Sequence, residues 1–313
     1  GLETLLAQTQ AGLGLGETAA GLIVEHRTGG IRAWVGSADF FARTFPGQVD
    51  VVPALRSPGS LLKPWIYGLA FDQGIAHPDT IVLDRTDRRS AYRPGNIDGL
   101  EHGEMTVSEA LQRSRNIPAV RVLDRLGVDV LVHALEQARF PGLDRFPGVP
   151  GPAIALGALS ASMLDIATLY GSLGQAGWVR RPSVLPRPLQ QIPSRRVLSP
   201  AAAVAVADIL VDAPLPRGFL RPQRPVAIKT GTSFAHRDAW AVGVTSEHTL
   251  VFWVGRPDGG YTPGYTGRET AVPLLVEAVA LLPPAQRPWP VNTGTRLAMA
   301  PGLERFTPAE DRT

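Results

Sequence analysis

At 313 residues, 44% hydrophobic and 19% charged, the chain can bury a large core and is not disordered as a whole. A net charge of +3 with pI near 9.6 is mildly basic, but the arginines are scattered apart from pairs such as Arg88-Arg89 and Arg195-Arg196, so nucleic-acid binding is not expected. The absence of cysteine excludes a disulfide framework, a thiolate nucleophile and a cysteine-based zinc site.

The run Ala19 to Glu25, the stretch His26-Arg27-Thr28-Gly29-Gly30 and the run Ile31 to Val35 read as a β-hairpin with a glycine-rich turn. From Ser57 to about Gly177 the pattern turns helical. Thr106-Val107-Ser108-Glu109 is a capping box that predicts a helix to about Arg113. Pro118 fits the first turn of the next helix, which places Val120, Leu123 and Leu126 on one face and stops at Gly127. Ser199-Pro200 opens a helix over Ala201 to Val211. Val226 to Lys229, Ala239 to Val244 and Leu250 to Val254 then read as an antiparallel meander, and Ala271 to Leu282 as a closing helix.

The Pro- and Arg-rich segments 180–200 and 214–225 are expected as surface loops. The order predicts an α+β fold: one antiparallel sheet built from both ends of the chain, flanked by helices, with an all-helical subdomain over roughly residues 64–200 and a cleft between the two. The domain is expected to span residues 1–283, with 284–313 a linker or frayed tail. Gly1 is not an initiator, so the chain is expected to begin inside a longer protein, and a membrane anchor outside it remains compatible with the lack of a long apolar run within it.

Of the 31 basic residues only two are lysine, Lys63 and Lys229. A buried lysine can lose its proton near neutral pH and an arginine cannot. Lys63 lies in Ser60-Leu61-Leu62-Lys63; if Ser60 begins a helix, hydroxyl and amine share a face. A neutral amine could then take the serine proton, and the positive helix end would favour the alkoxide.

One of only three asparagines closes Ser114-Arg115-Asn116 at the junction of two predicted helices. Its hydroxyl could relay a proton and its amide could hold a substrate amide. Lys229-Thr230-Gly231-Thr232 ends a strand: Lys229 and Thr232 could bind a carboxylate while Gly231 lets a substrate backbone approach. Each motif alone is common on protein surfaces. The three in this order are the signature of penicillin-binding proteins and serine β-lactamases.

The resemblance extends through Ser57–Pro64, Tyr92–Asn96, Thr106–Arg121 (TVSEALQRSRNIPAVR), Ala155–Gly177 and Lys229–Gly243 (KTGTSFAHRDAWAVG). These segments resemble the transpeptidase domain of class A penicillin-binding proteins. The short loop before Arg237–Trp240 and the stretch Trp253–Gly259 look most like the penicillin-binding protein 1C branch.

The resemblance implies a β-lactamase/transpeptidase-like fold and a periplasmic enzyme at the outer face of the inner membrane, whose parent carries a glycosyltransferase domain and an anchor. It implies Ser60 as nucleophile, Lys63 as general base, Ser114 as proton donor to the leaving group, and Asn116 as the group orienting Lys63 and the substrate amide. Lys229, Thr230, Gly231 and Thr232 would form the substrate strand, with the N–H groups of Ser60 and Thr232 as oxyanion hole. The implied donor is a peptidoglycan stem peptide ending in D-Ala-D-Ala, with β-lactams as covalent inhibitors.

No metal or cofactor is expected. The six histidines show no HExxH spacing, and Glu101-His102-Gly103-Glu104, the one cluster resembling a metal site, reads as a turn cap. Arg115 reads as solvated or substrate-facing, His236 as a loop residue and Trp65 as core. A β-lactamase is disfavoured, because one glutamate (Glu136) and no asparagine lie between Asn116 and Lys229. A carboxypeptidase, or a β-lactam sensor or scaffold with little turnover, remains the alternative.

Overall fold

The computed structural model describes residues 1–43, 45–87, 92–185, 191, 193–289 and 297–306; the Arg88-Arg89 pair and part of the tail lie outside them. In chain order the elements are α1 (Leu2–Gln10), β1 (Thr18–Glu25), β2 (Ile31–Val35), α2 (Lys63–Asp72), β3 (Ile81–Asp84), β4 (Gly103–Thr106), α3 (Val107–Gln112), α4 (Asn116–Leu126), α5 (Val128–Gln137), α6 (Met163–Gly171), β5 (Trp178–Arg180), β6 (Ser194–Arg196), α7 (Pro200–Val211), β7 (Ala227–Thr232), β8 (Asp238–Val244), β9 (His248–Gly255) and α8 (Val272–Ala280). The main sheet runs β2-β1-β9-β8-β7, antiparallel throughout, so the two ends of the chain do build one sheet. The architecture is the expected α+β fold of an antiparallel sheet flanked by helices.

The central strands are apolar at nearly every position because both faces are covered. Ala19, Ile23, Leu250, Phe252 and Val254 pack against Leu2, Leu5 and Leu6 of α1 and Leu274 and Leu275 of α8. Ala20, Leu22, Trp240, Val242, Val251 and Trp253 face the core shared with the helical block. Within that block α2 is buried from Lys63 to Phe71 and packs against α3, α4, α5 and α7. Such a helix carries no polar stripe, and Trp65 is core, as read from the sequence.

The local signals behave as their chemistry requires. Thr106 and Glu109 form the full capping box of α3, Gly127 ends α4 with φ +92°, and the Ser199 hydroxyl caps α7. Four features were not anticipated. Helix α1 begins without a side-chain cap. The helical block contains the short antiparallel pairs β3–β4 and β5–β6, with β6 inside the segment 180–200 expected as a loop. A π-helical turn, Gly267–Ala271, precedes α8. In the tail, expected to be a linker or frayed end, residues 304–306 lie along β3: Ile81 N–H donates to the Glu304 carbonyl at 3.0 Å, Phe306 N–H to that of Ile81 at 2.8 Å, and Arg305 pairs with Glu104.

The turn Gly59–Leu62 joins sheet to helices. Trp240 Nε1 donates to the Ser57 carbonyl at 2.9 Å and the Tyr170 hydroxyl to that of Leu61 at 2.7 Å. Gly59 has φ +55°, and a Cβ there would lie 2.4 Å from the Thr232 carbonyl oxygen. Gly59→Ala therefore adds a steric clash to backbone strain and should cost about 2–5 kcal/mol of stability. Gly74→Ala, at φ +62° with no atom within 4 Å, carries the strain alone and should cost about 1–2 kcal/mol. Denaturant unfolding of both variants checks this, and equal losses would mean that the turn moves off β7 freely.

Candidate active site

Ser60 sits in the 3-10 turn Gly59–Leu62, which runs directly into α2 at Lys63. In such a turn residues three apart eclipse, so Ser60 and Lys63 share a side, although the α-helix itself starts later than the sequence suggested. Lys63 is fully buried. Its Nζ donates to the Ser114 carbonyl at 2.6 Å and to Asn116 Oδ1 at 2.6 Å.

Ser114 lies between α3 and α4 with φ +57°. Its hydroxyl accepts from Lys229 Nζ at 2.7 Å, and Lys229 also donates to the Thr230 carbonyl at 2.7 Å. One serine thus bridges both lysines of the chain, by its carbonyl on one side and its hydroxyl on the other. Burial, reinforced by the nearby charges of Lys229 and Arg115 and opposed by Asp84, pushes Lys63 well below the usual lysine pKa. Burial and the Arg268 guanidinium push Lys229 down to about 7.

An open cleft of about 530 Å³ exposes Ser60, Ser114, Asn116, Thr230 and Thr232 together, with Arg113 and Arg268 on its walls. Lys63 and Lys229 lie behind that wall. Thr232 Oγ1 accepts from Gly267 N–H at 3.1 Å, which fixes the π-helical turn against β7.

Gly231 differs from its expected role as room for a ligand. A Cβ there would lie 2.3 Å from the Pro58 carbonyl oxygen, so the glycine lets the Ser60 turn pack on β7. Asn116 orients Lys63 through Oδ1, while its Nδ2 donates to the Gly95 carbonyl at 2.7 Å. One N–H of that amide remains for a substrate.

Arg115 is not a solvated side chain, although it belongs to the cleft lining. It is buried, and its guanidinium donates to Asp84 Oδ2 at 2.8 Å, Asp98 Oδ2 at 2.7 Å and the Leu100 carbonyl at 2.6 Å. The hydrogen bond from Arg115 holds Asp98 at a pKa of about 2. Asn96 completes the cluster: its Nδ2 donates to Asp84 Oδ1 and its Oδ1 accepts from Asn116 N–H at 2.9 Å. The residue between the two catalytic candidates is thus the anchor of their loop, and Tyr92–Asn96 supplies part of that anchorage.

His236 is a loop residue bonded to the Tyr265 carbonyl. Glu101 accepts from Thr86 N–H, as the turn reading required, whereas Glu104 belongs to β4. Arg268 and the Asp84–Arg115–Asn96 cluster were not singled out from sequence. Their partners are remote in the chain and no local pattern marks them.

Because Arg115 and Asp84 are both buried, Arg115→Met should leave a carboxylate unpaired and cost about 3–5 kcal/mol. Chemical denaturation checks this, and a loss below about 1 kcal/mol would mean the pair is solvated in solution. Lys229 gives a pH signature. Its folded pKa is depressed, so its contribution is full above the unfolded value near 10.4 and is lost as pH falls towards about 7. The stability of the unsubstituted protein relative to Lys229→Met should rise between about pH 7 and pH 9.5. A flat difference would show Lys229 charged in the fold.

Residues 19–276 match the family model of the penicillin binding protein transpeptidase domain. The chain is 37% identical over 305 residues to penicillin-binding protein 1C of Escherichia coli (strain K12), covering 94% of this chain and 39% of that protein. It is 30% identical over 304 residues to penicillin-binding protein 1B of Vibrio cholerae, covering 88% and 38%. It therefore spans about two fifths of the length of these curated relatives.

Among solved structures, PonA1 from Mycobacterium tuberculosis in complex with penicillin V superposes with a TM-score of 0.76 at 21% identity, covering 92% of this chain and 84% of that one. Penicillin-Binding Protein 1A from Haemophilus influenzae gives 0.73 at 21% identity, covering 87% and 49%. The structural likenesses show the shared fold; the family match over most of the chain and the 37% identity show descent. The chain belongs to the penicillin-binding protein transpeptidase family.

Proposed function

We propose that this domain is a serine D,D-transpeptidase that cross-links peptidoglycan stem peptides through an acyl-enzyme on Ser60. The observation that carries the reading is the pair of buried lysines bridged by Ser114 beside Ser60 in one cleft. A neutral amine has two N–H groups and one lone pair. Lys63 directs two hydrogen bonds to Ser114 and Asn116, which leaves the lone pair for the Ser60 proton.

Ser60 Oγ then attacks the carbonyl of the penultimate D-Ala, and the N–H groups of Ser60 and Thr232 receive the oxyanion. The Ser114 hydroxyl gives its proton to the departing D-Ala amine and is resupplied from Lys229. Thr230 and Thr232 hold the peptide along β7, which is an edge strand. An amine of a neighbouring stem accepts the acyl group and regenerates Ser60. Water in place of that amine would make the domain a carboxypeptidase.

Glu136, the one glutamate between Asn116 and Lys229, is exposed on α5 and is not among the residues lining the cleft, so it does not supply a base for hydrolysis of a β-lactam acyl-enzyme. In its parent polypeptide the domain would work in the periplasm beside a glycosyltransferase domain and a membrane anchor. Among the described residues no helix is long and apolar enough to cross a membrane.

Treatment with a penicillin should add one adduct mass to the intact protein, and peptide mapping should place it on Ser60. Ser60→Ala should not label. Lys63→Arg should slow labelling by about a hundred- to ten-thousandfold, since a guanidinium cannot act as base. An adduct elsewhere, or normal labelling of either variant, would contradict the assignment. Product analysis with an amino-acid acceptor and a D-Ala-D-Ala peptide separates transfer to amines from transfer to water, and exclusive hydrolysis would make the domain a carboxypeptidase.

A further inference from the structure

Resting on that reading, a question of charge remains at the end of the cleft where the ligand's terminal carboxylate must lie. Lys229 is poorly placed to hold it alone. The ammonium is buried, its hydrogen bonds run to Ser114 Oγ and the Thr230 carbonyl, and burial with the Arg268 charge lowers its pKa to about 7. A cation that gives its proton to Ser114 cannot also be a fixed counter-charge.

Arg268 has the opposite character. It lines the same cleft as Ser60, Thr230 and Thr232, is only partly buried, and among the described residues makes no ion pair or side-chain hydrogen bond. The backbone beneath it is fixed. A Cβ at Gly267 would lie 2.2 Å from the Trp240 carbonyl oxygen and 2.5 Å from that of Gly231, so the turn is seated on β7 and β8. Gly267 N–H donates to Thr232 Oγ1 and the Thr266 hydroxyl accepts from Glu269 N–H at 3.3 Å. π-Helical turns of this kind recur at functional sites.

The neighbouring charges do not neutralise it. Glu269 forms no ion pair with it, and Asp98 is committed to Arg115. Arg113, the other unpaired guanidinium of the cleft, belongs to the wall beside Ser114.

We infer that Arg268 is the carboxylate-recognising residue of this site, binding the terminal carboxylate of the acyl donor and the corresponding carboxylate of a β-lactam, while Lys229 serves Ser114 as proton carrier. A guanidinium suits the first task because it presents paired N–H donors and stays charged at any working pH. The influence of Arg268 on Lys229 fits the division, since the fixed guanidinium charge favours the neutral form of the Lys229 amine.

The test compares acylation by a penicillin with acylation by its methyl ester, which keeps the reacting carbonyl and lacks the charge. The unsubstituted protein should prefer the acid, and that preference should stay flat between about pH 6 and pH 8 because arginine does not titrate there. Arg268→Gln should reduce the acid-to-ester ratio by about ten- to a hundredfold with the ester rate retained, Arg268→Lys should restore part of it, and Arg113→Gln should leave it unchanged. An unchanged ratio in Arg268→Gln, a collapse in Arg113→Gln, or a preference that falls through about pH 7 would overturn the assignment and return the carboxylate to another cation. If neither probe acylates the unsubstituted protein, the acyl-enzyme reading itself fails, a different outcome from a lost ratio.

Discussion

Two lysine amines are buried on either side of Ser114, and the rest of the site is arranged around that burial. Removing an ammonium from water is costly, and the cost falls when the proton leaves. Desolvation therefore lowers the pKa of both amines, which suits them to the proton-transfer roles proposed for them. The chain has no lysine elsewhere, so every other positive side chain is an arginine that holds its charge. Arg115 within the loop and Arg268 on the cleft wall are two such fixed charges, the first tied to Asp84 and the second proposed to meet the ligand's carboxylate.

Holding that arrangement requires rigidity from three directions. Tyr170 grips the Ser60 turn from α6, and Trp240 grips it from β8. The close approach of Gly59 and Gly231 seats it on β7. From the helical side, Asp84 at the end of β3 clamps Arg115, while Asn96 clamps the backbone of Asn116. Residues 304–306 lie against the other end of β3, so this short stretch packs on the same strand that anchors the loop carrying Ser114.

Much of this was readable from sequence where signals are local or chemically rare. The hairpin, the capping box of Thr106 and Glu109, the stop at Gly127 and the strand meander each depend on a few adjacent residues. Lys63 and Asn116 stood out because lysine and asparagine are scarce in this chain, and Ser60, Ser114, Thr230 and Thr232 because of their order around them; the fold brings these residues to one cleft and its rear wall. Short strands such as β3 and β4, four residues each, exist only because they find each other. Arg115 was misread because its partner Asp84 is 31 residues away. Gly231 was read as space for a ligand because nothing local reveals that Pro58 fills it.

The central claim is that Lys63 is a neutral amine at physiological pH, and the scarcity of lysine makes it directly measurable. Protein labelled with ¹⁵N only at lysine carries two side-chain signals, assignable with one variant at each position. The proposed base role predicts that the Lys63 signal shows the neutral amine well below the usual lysine pKa range, while the Lys229 signal titrates close to pH 7. Two ammonium signals persisting to about pH 9 would contradict it, for then neither lysine could accept the proton of Ser60.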